Sequence, residues 1–180
     1  SLFRRVYHHI VGNNAAAVTA VTRAARAAGL RTLVHTPAIT GEAREAGRRF
    51  GALARNIVRE GKPLRRSCCV VAGGETTVTV TGKGTGGRAQ EFAAAAALEI
   101  AGLAKVWVVA IGTDGTDGPT DAAGAVIDGN TVGRAQRLSV DLEGALKRHN
   151  TYPALKRLHQ LIITGPTGTN VNDLYLLLVL

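Results

Sequence analysis

The sequence predicts a three-layer α/β/α domain of the Rossmann-like kind, with a mixed, largely parallel sheet. Short apolar runs alternate with segments whose apolar residues recur every three or four positions, as buried strands alternate with amphipathic helices. The 22 glycines indicate many tight turns between these segments. A hydrophobic content of 46% suits a chain of 180 residues that buries a sizeable core.

Residues 1–65 are predicted to form two strand–helix units. The predicted elements are a short strand at 5–11, a helix at 15–28 followed by Gly29 as its C-cap, a strand at 31–35, and a helix at 42–59 ended by Gly61 and Pro63. The second helix is predicted from Phe50, Leu53 and Ile57, which form one apolar stripe at helical spacing.

Residues 66–180 are predicted to contain most of the sheet. The expected strands are 68–72, 76–81, 106–111, 125–128, 161–164 and 174–180, with an alanine-rich helix at 88–101 and two or three short helices within 130–158. The segment 76–81 alternates Thr and Val and is therefore expected to be a half-exposed strand. This strand and the last two are expected to pair antiparallel, which makes the sheet mixed.

The distribution of charge argues against several classes of protein. Residues 1–66 carry 13 Lys and Arg against 3 Asp and Glu, whereas residues 67–180 carry 9 against 10. The excess lies on predicted helix faces with few aromatic residues, so we expect solvated faces or an acidic partner segment and no nucleic-acid surface. No apolar run reaches about 18 residues, so no membrane span is expected.

The cysteines and the start of the chain bear on location and completeness. Cys68 and Cys69 are adjacent in an apolar run, which indicates buried thiols in a reducing compartment. No signal peptide is recognisable, so a cytoplasmic location is expected. The chain has no methionine, which fits either a processed start or a chain that begins within a longer protein.

Four glycine-rich or polar loops follow predicted strands, at 12–14, 73–75, 112–124 and 165–170. Because ligands bind at the carboxyl ends of strands in open α/β sheets, we expect these loops to converge. The segment 82–87, called here the glycine loop, matches GxGxxG, but the preceding strand is half polar and the acid expected about 20 residues later is missing. We therefore expect a backbone cradle for an anion at the start of the 88–101 helix, aided by Lys83 and Arg88. An ion pair with Glu91 is the alternative for Arg88.

The segment 112–124, called here the aspartate loop, contains Asp114, Asp117 and Asp121. One or two of these carboxylates are enough for a Mg²⁺ site, and one could instead act as a general base. The alternative is that all three stabilise turns or cap short helices, with Asp121 the best candidate for a cap. The five histidines show no metal-ligand spacing, and no nucleophile elbow is present.

Four motifs together resemble the class II glycerate kinases, a family formerly described as hydroxypyruvate reductases. They are GGETTVTV (73–80), GKG with GGRAQEF (82–84 and 86–92), GTDGTDGPTDAAG (112–124) and TGPTGTNVNDL (164–174). The resemblance implies that residues 66–180 correspond to the C-terminal MOFRL region and that residues 1–65 end the N-terminal region. It implies one compact domain or part of a two-domain enzyme whose N-terminal half is absent here.

The resemblance further implies ATP-dependent phosphorylation of D-glycerate to 2-phosphoglycerate with Mg²⁺, in a cytoplasmic enzyme, with a homodimer as a candidate assembly. The implied catalytic residues are Asp114, Arg88 and Lys83, and the implied metal ligands are Asp114 and Asp121. The implied substrate- or nucleotide-binding residues are Asn13, Asn14, Gly73, Gly74, Glu75, Thr76, Gly86, Gly87, Thr167, Gly168, Thr169 and Asn170.

This chain departs from the family pattern at two places. The family usually has Asn where this chain has Ala89, and an Asn-Asp/Asn-Ser-Tyr run where this chain has residues 149–152. These departures motivate an alternative, a non-catalytic ligand-binding or assembly domain that keeps the loops. A hydroxypyruvate reductase is a weaker alternative, because the dinucleotide fingerprint is poor.

Overall fold

The computed structural model describes residues 6, 7 and 9–180, and within them it confirms the predicted α/β fold, a mixed six-stranded sheet between two layers of helices. The helices are α1 (Asn14–Ala27), α2 (Ala43–Glu60), α3 (Arg88–Glu99), α4 (Thr131–Arg137), α5 (Leu142–Lys147) and α6 (Thr151–Arg157). The strands are β1 (Arg31–Ile39), β2 (Cys68–Gly74), β3 (Val106–Gly112), β4 (Gly124–Asp128), β5 (Leu161–Ile162) and β6 (Asp173–Val179).

The strands lie in the order β1-β2-β6-β3-β4-β5, so the last strand of the sequence is central. β1 and β2 are parallel, whereas β6 runs antiparallel to both β2 and β3. The carboxyl ends of β1, β2 and β3 therefore meet the start of β6 at one edge of the sheet. There Gly74 lies opposite Ile39 and Asp173, and Asp173 also lies opposite Gly112.

Both faces of the sheet are covered by helices, as the continuous apolar run of β2 predicts. α1 covers one face, where Val18 packs with Cys69 and Val71. α2 and α3 cover the other face, and Phe92 of α3 stacks on Tyr175 of β6 with ring centroids 4.2 Å apart. Both cysteines are buried and free. Among the described helices, none combines the length and apolar character that crossing a membrane requires.

The close packing of α2 on α3 depends on two glycines. A Cβ at Gly47 would lie 2.2 Å from the carbonyl oxygen of Phe92, and a Cβ at Gly51 would lie 2.5 Å from the Cβ of Glu99. On the α3 side, the five alanines 93–97 are fully buried. Small residues on both helices therefore let the two backbones approach closely, which fixes α3 above the sheet.

The first turn of α3 is capped by a carboxylate from the aspartate loop. The Oδ1 of Asp117 accepts the amide of Ala89 at 3.0 Å, and its Oδ2 accepts the amide of Gln90 at 2.9 Å. Gly87 makes room for this contact, because a Cβ there would lie 2.3 Å from the Cγ of Asp117. Burial raises the pKa of Asp117 to about 6, although the two amide hydrogen bonds favour the ionised form.

The three long helices agree with the prediction to within two residues at each end. Gly29 and Gly61 end α1 and α2 in the left-handed conformation, with φ of 80° and 66°. The strand predicted at 31–35 is longer than expected and continues to Ile39. The strand predicted at 161–164 is shorter and is reduced to β5, which pairs only with the start of β4.

The strand predicted at 76–81 is wrong. Both edges of β2 are already paired, one with β1 and one with β6. The segment therefore bonds elsewhere: the amide of Thr77 donates to the carbonyl of Gly41 at 2.9 Å, and its carbonyl accepts the amide of Ala43 at 2.8 Å. Part of the strand predicted at 5–11, namely Arg5 and His8, lies outside the described residues, and residues 6, 7 and 9–11 are not in a strand.

We predict that Gly47→Ala lowers the free energy of unfolding by about 1–3 kcal/mol, because the new methyl group would overlap the α3 backbone. Gly133→Ala in α4 is the matched control, since its Cβ would meet nothing closer than 3.7 Å. That change should be neutral or stabilising by up to about 1 kcal/mol. Urea unfolding measures both, and equal stability of Gly47→Ala and the wild type would contradict the packing argument.

We also predict that Asp117 makes stability fall as the pH rises. The folded chain holds the Asp117 proton more tightly than the unfolded chain, whose aspartate pKa is about 4, so the free energy of unfolding decreases between pH 4 and 6. The expected contribution is on the order of 3 kcal/mol. Asp117→Asn should lack it, so the wild type should lose stability relative to this variant across that range. Parallel unfolding curves at each pH in urea test this expectation.

Candidate active site

A cleft of about 1010 Å³ opens at the edge where the carboxyl ends of β1, β2 and β3 meet the start of β6. It is lined by the segments after β1 and β2, by the glycine loop, by α3, by the aspartate loop and by two residues from later in the chain. The lining residues are 38–40, 74–78, 80, 84, 86–88, 91, 114, 116–119, His149 and Asn172. The expected convergence of loops therefore holds for 73–75 and 112–124, whereas 12–14 and 165–170 lie outside the lining.

Arg88 is fixed by two carboxylates at the centre of this edge. Its Nε and Nη2 donate to the two carboxylate oxygens of Asp173, at 2.7 and 3.1 Å, which is a bidentate pair. Its Nη1 donates to Glu75 at 2.7 Å. The expected alternative, an ion pair with Glu91, is wrong, because Glu91 faces His149 instead. Arg88 is therefore oriented before any ligand binds.

Asp173 is a site residue that the sequence did not single out. Its side chain is buried, and its Oδ2 also accepts the hydroxyl of Tyr175 at 3.0 Å. The hydroxyl of Tyr175 lies 3.2 Å from the Oγ1 of Thr76. The available signal was a carboxylate at the first position of an apolar strand, where an unpaired charge would be costly to bury. Asp173 thus links the start of β6 to α3 and to the end of β2.

The glycine loop borders the cleft. Gly84, Gly86 and Gly87 line it, and among the described residues their amides donate to no protein acceptor. The predicted anion cradle has fewer free amides than expected, however, because the amides of Ala89 and Gln90 at the helix start already donate to Asp117. Ala89 itself is fully buried and does not line the cleft.

The aspartates of the aspartate loop have three different surroundings. Asp114 lines the cleft: its Oδ1 accepts the amide of Thr116 at 3.1 Å, and its Oδ2 lies 3.4 Å from the Nδ2 of Asn170. Asp117 caps α3. Asp121 is exposed outside the cleft lining and accepts the hydroxyl of Tyr152 at 2.7 Å. The structure therefore does not bring Asp114 and Asp121 together in the cleft, and Asp121 caps no helix.

The 165–170 loop is hydrogen-bonded to the aspartate loop. Thr167 donates its amide to the carbonyl of Asp114 at 3.1 Å and its hydroxyl to the carbonyl of Thr113 at 2.5 Å. Thr167, Gly168, Thr169 and Asn170 are exposed and do not line the cleft. Of these four residues, Thr167 and Asn170 contact Asp114.

The remaining predicted residues divide between the cleft and its supports. Gly74, Glu75 and Thr76 line the cleft, whereas Gly73 does not. Asn13 caps α1, and the Nδ2 of Asn14 donates to the carbonyls of Val171 and Asp173 at 2.7 and 3.0 Å. Lys83 is exposed, lies outside the lining and has no ion-pair partner among the described residues.

A buried Glu–His pair forms another part of the wall. The Nδ1 of His149 lies 2.8 Å from the Oε1 of Glu91, and both side chains are almost fully buried. The Nε2 of His149 lies 3.2 Å from the hydroxyl of Thr81. Burial raises the pKa of Glu91, and the hydrogen bond from His149 opposes that rise. No local pattern in the sequence indicates this pair, because its members are 58 residues apart.

Comparison with known proteins identifies similar chains of greater length. The chain is 42% identical over 175 residues to a glycerate 2-kinase from Pyrococcus horikoshii, covering 97% of this chain and 40% of that protein. It is 41% identical over 171 residues to a D-glycerate 2-kinase from Thermotoga maritima, covering 95% and 41%. This chain thus spans about 40% of the length of the curated relatives it matches.

A solved structure and a family match agree with these relatives. A crystal structure of glycerate kinase from Thermotoga maritima matches with a TM-score of 0.94 at 41% identity, over 96% of this chain and 42% of that one. The resemblance to glycerate kinases that rests on the four motifs is therefore confirmed. Residues 68–173, more than half of the chain, match the MOFRL family. The chain belongs to the MOFRL family.

Proposed function

We propose that this chain is part of an enzyme that transfers a phosphoryl group from ATP to the 2-hydroxyl of D-glycerate, giving 2-phosphoglycerate. The observation that carries the proposal is the convergence in one cleft of Arg88, Asp114 and the glycine loop. Phosphoryl transfer needs reactants held in place and negative charge neutralised more than it needs covalent chemistry. The glycerate 2-kinases among the relatives support the choice of substrate.

Arg88 would bind an anionic group of the substrate by exchanging one of its two carboxylate partners. Asp173 is buried and holds the guanidinium through two hydrogen bonds, so it is the permanent partner. The side chain of Glu75 is 51% exposed and accepts only one hydrogen bond from Arg88. A glycerate carboxylate or a phosphate can therefore displace Glu75 and meet an already oriented guanidinium.

The cleft fits a Mg²⁺ ion that arrives with a nucleotide. Magnesium takes one or two protein carboxylates and completes its shell with water and phosphate oxygens. Asp114 supplies one carboxylate whose oxygens keep free lone pairs, and among the described residues no group of three or more His, Cys, Asp or Glu side chains is arranged to hold a metal ion. When bound, the ion would neutralise charge on the transferred group. Asp114 would hold it there, or would accept the proton of the glycerate hydroxyl.

The proposal extends to the surroundings of the chain. The relatives are more than twice as long, so we propose that an N-terminal half completes the cleft. The same proposal includes the division of the chain into residues 1–65 and 66–180, a cytoplasmic location and a homodimer. The free, buried thiols of Cys68 and Cys69 support a reducing compartment.

Two other functions would give different results. A non-catalytic ligand-binding or assembly domain is favoured by Ala89, which removes a polar side chain at the start of α3. This domain would bind an acidic partner chain but neither Mg²⁺-nucleotide nor glycerate in calorimetry. A hydroxypyruvate reductase would bind NAD(P)H, and the amides of Ala89 and Gln90 that a dinucleotide phosphate would use are already taken by Asp117.

We expect glycerate-dependent release of ADP when the chain is joined to the portion of the Thermotoga maritima relative that it does not cover. A coupled assay with glycerate and other two- or three-carbon hydroxy acids measures this turnover. The uncovered portion alone is the control for background activity. If a folded assembly phosphorylates none of these acids, the proposed function is wrong.

In that assembled enzyme, we expect Asp114→Asn to lower kcat by at least about 10²-fold, because it removes the carboxylate that faces the cleft. The required Mg²⁺ concentration should rise at the same time. The same change at Asp121 tests the second predicted metal ligand. Because Asp121 lies outside the cleft lining, we expect Asp121→Asn to retain activity within about twofold of the wild type. Full Mg²⁺-dependent activity of Asp114→Asn would contradict the role given to the aspartate loop.

A further inference from the structure

We infer that residues 148–152 form a clamp that holds the glycine loop in its ligand-binding conformation, and that His149 and Asn150 are positioning residues for the nucleotide phosphates. The inference rests on the proposed function for the identity of the ligand. The clamp itself follows from contacts between two segments that are more than 60 residues apart in the sequence.

The centre of the glycine loop is held by both backbone groups of Thr85. The amide of Thr85 donates to the Oδ1 of Asn150 at 3.0 Å, and its carbonyl accepts the amide of Tyr152 at 3.0 Å. The loop itself belongs to no helix or strand, so these bonds replace the regular pairing that would otherwise order it. The side chain of Thr85 is not needed for these bonds, and the residue is exposed.

The buried pair of Glu91 and His149 anchors the clamp to α3. His149 contacts Glu91 through Nδ1 and Thr81 through Nε2, so one imidazole joins the helix to the residue just before the glycine loop. The backbone of His149 is left-handed, with φ of 55°, a conformation that is uncommon for residues other than glycine. His149 therefore sets the position of the whole segment relative to α3.

The glycines of the loop lie directly on the clamp. A Cβ at Gly84 would come within 2.3 Å of the carbonyl oxygen of Arg148, and a Cβ at Gly86 within 2.3 Å of the Oγ1 of Thr151. The loop is thus packed against residues 148–151 and also lines the cleft. This arrangement keeps the amides of Gly84, Gly86 and Gly87 free of protein acceptors, so that phosphate oxygens can accept them.

Hydrogen–deuterium exchange on the chain tests the clamp without any assumption about catalysis. Asn150→Ala removes the acceptor for Thr85, and we expect the amides of Thr85 and Tyr152, which are the ones that bond across the clamp, to exchange about five- to tenfold faster. Asn130→Ala is the matched control: both asparagines are N-caps of seven-residue helices and neither side chain caps its own helix, but only Asn150 bonds to the glycine loop. Unchanged exchange of the loop in Asn150→Ala would overturn the clamp.

A second pair of variants tests His149 and allows for a loss of stability. His149 and His159 both have φ of 55°, but His159 is exposed and its side chain makes no hydrogen bond among the described residues. His149→Ala should loosen the loop, and His159→Ala should not. His149→Asn should restore slow exchange, because its Nδ2 can donate to Glu91 from the place of Nδ1 and asparagine tolerates the left-handed backbone. If both variants are folded and His149→Asn exchanges as fast as His149→Ala, the role given to the contact of His149 with Glu91 is wrong.

Kinetics of the assembled enzyme separate positioning from general support. We expect Asn150→Ala to raise the KM for Mg²⁺-ATP about five- to tenfold, with kcat and the KM for glycerate changed less than about twofold. An equal effect on both substrates, or none on the nucleotide, would overturn the link to the nucleotide phosphates. If the assembled enzyme has no glycerate activity, the proposed function fails, while the exchange experiment still decides the clamp.

Discussion

The central position of β6 is the constraint on which the cleft depends. Because β6 runs antiparallel between β2 and β3, its first residue, Asp173, reaches the end of the sheet where β1, β2 and β3 have their carboxyl ends. A buried carboxylate at that point requires a cationic partner, and Arg88 at the start of α3 supplies it through two hydrogen bonds. The topology of the sheet thus fixes the orientation of the helix that forms the wall of the cleft.

Three buried carboxylates surround the first turn of α3, and each has a different partner. Asp173 pairs with a guanidinium, Asp117 accepts two backbone amides, and Glu91 contacts an imidazole. Each pairing offsets the cost of removing a carboxylate from water, and each joins α3 to another segment of the chain. The polar wall is consequently ordered before a ligand enters, which is the condition under which fixed charges and amides stabilise a transition state.

Glycine has a steric function in this site as well as a conformational one. Gly47 lets α2 approach α3, Gly87 leaves room for the carboxylate of Asp117, and Gly84 lets the glycine loop lie on residues 148–149. In each case a single methyl group would overlap a neighbouring atom. At these places the backbone therefore packs directly on backbone or on a polar side chain.

The sequence by itself determined the order of the elements, the long helices and the segments that carry polar loops, because helical and strand periodicity are local properties. It did not determine that 76–81 stays outside the sheet, since that outcome depends on which strands occupy the edges of β2. It also placed Asp114 and Asp121 in one loop without indicating that only Asp114 faces the cleft. The partners of Arg88, Asp117 and Glu91 were decided only by the tertiary structure, because each contact joins residues that are distant in the chain. Which of several nearby charges a side chain pairs with depends on three-dimensional geometry, and the spacing of residues in the sequence does not contain that geometry.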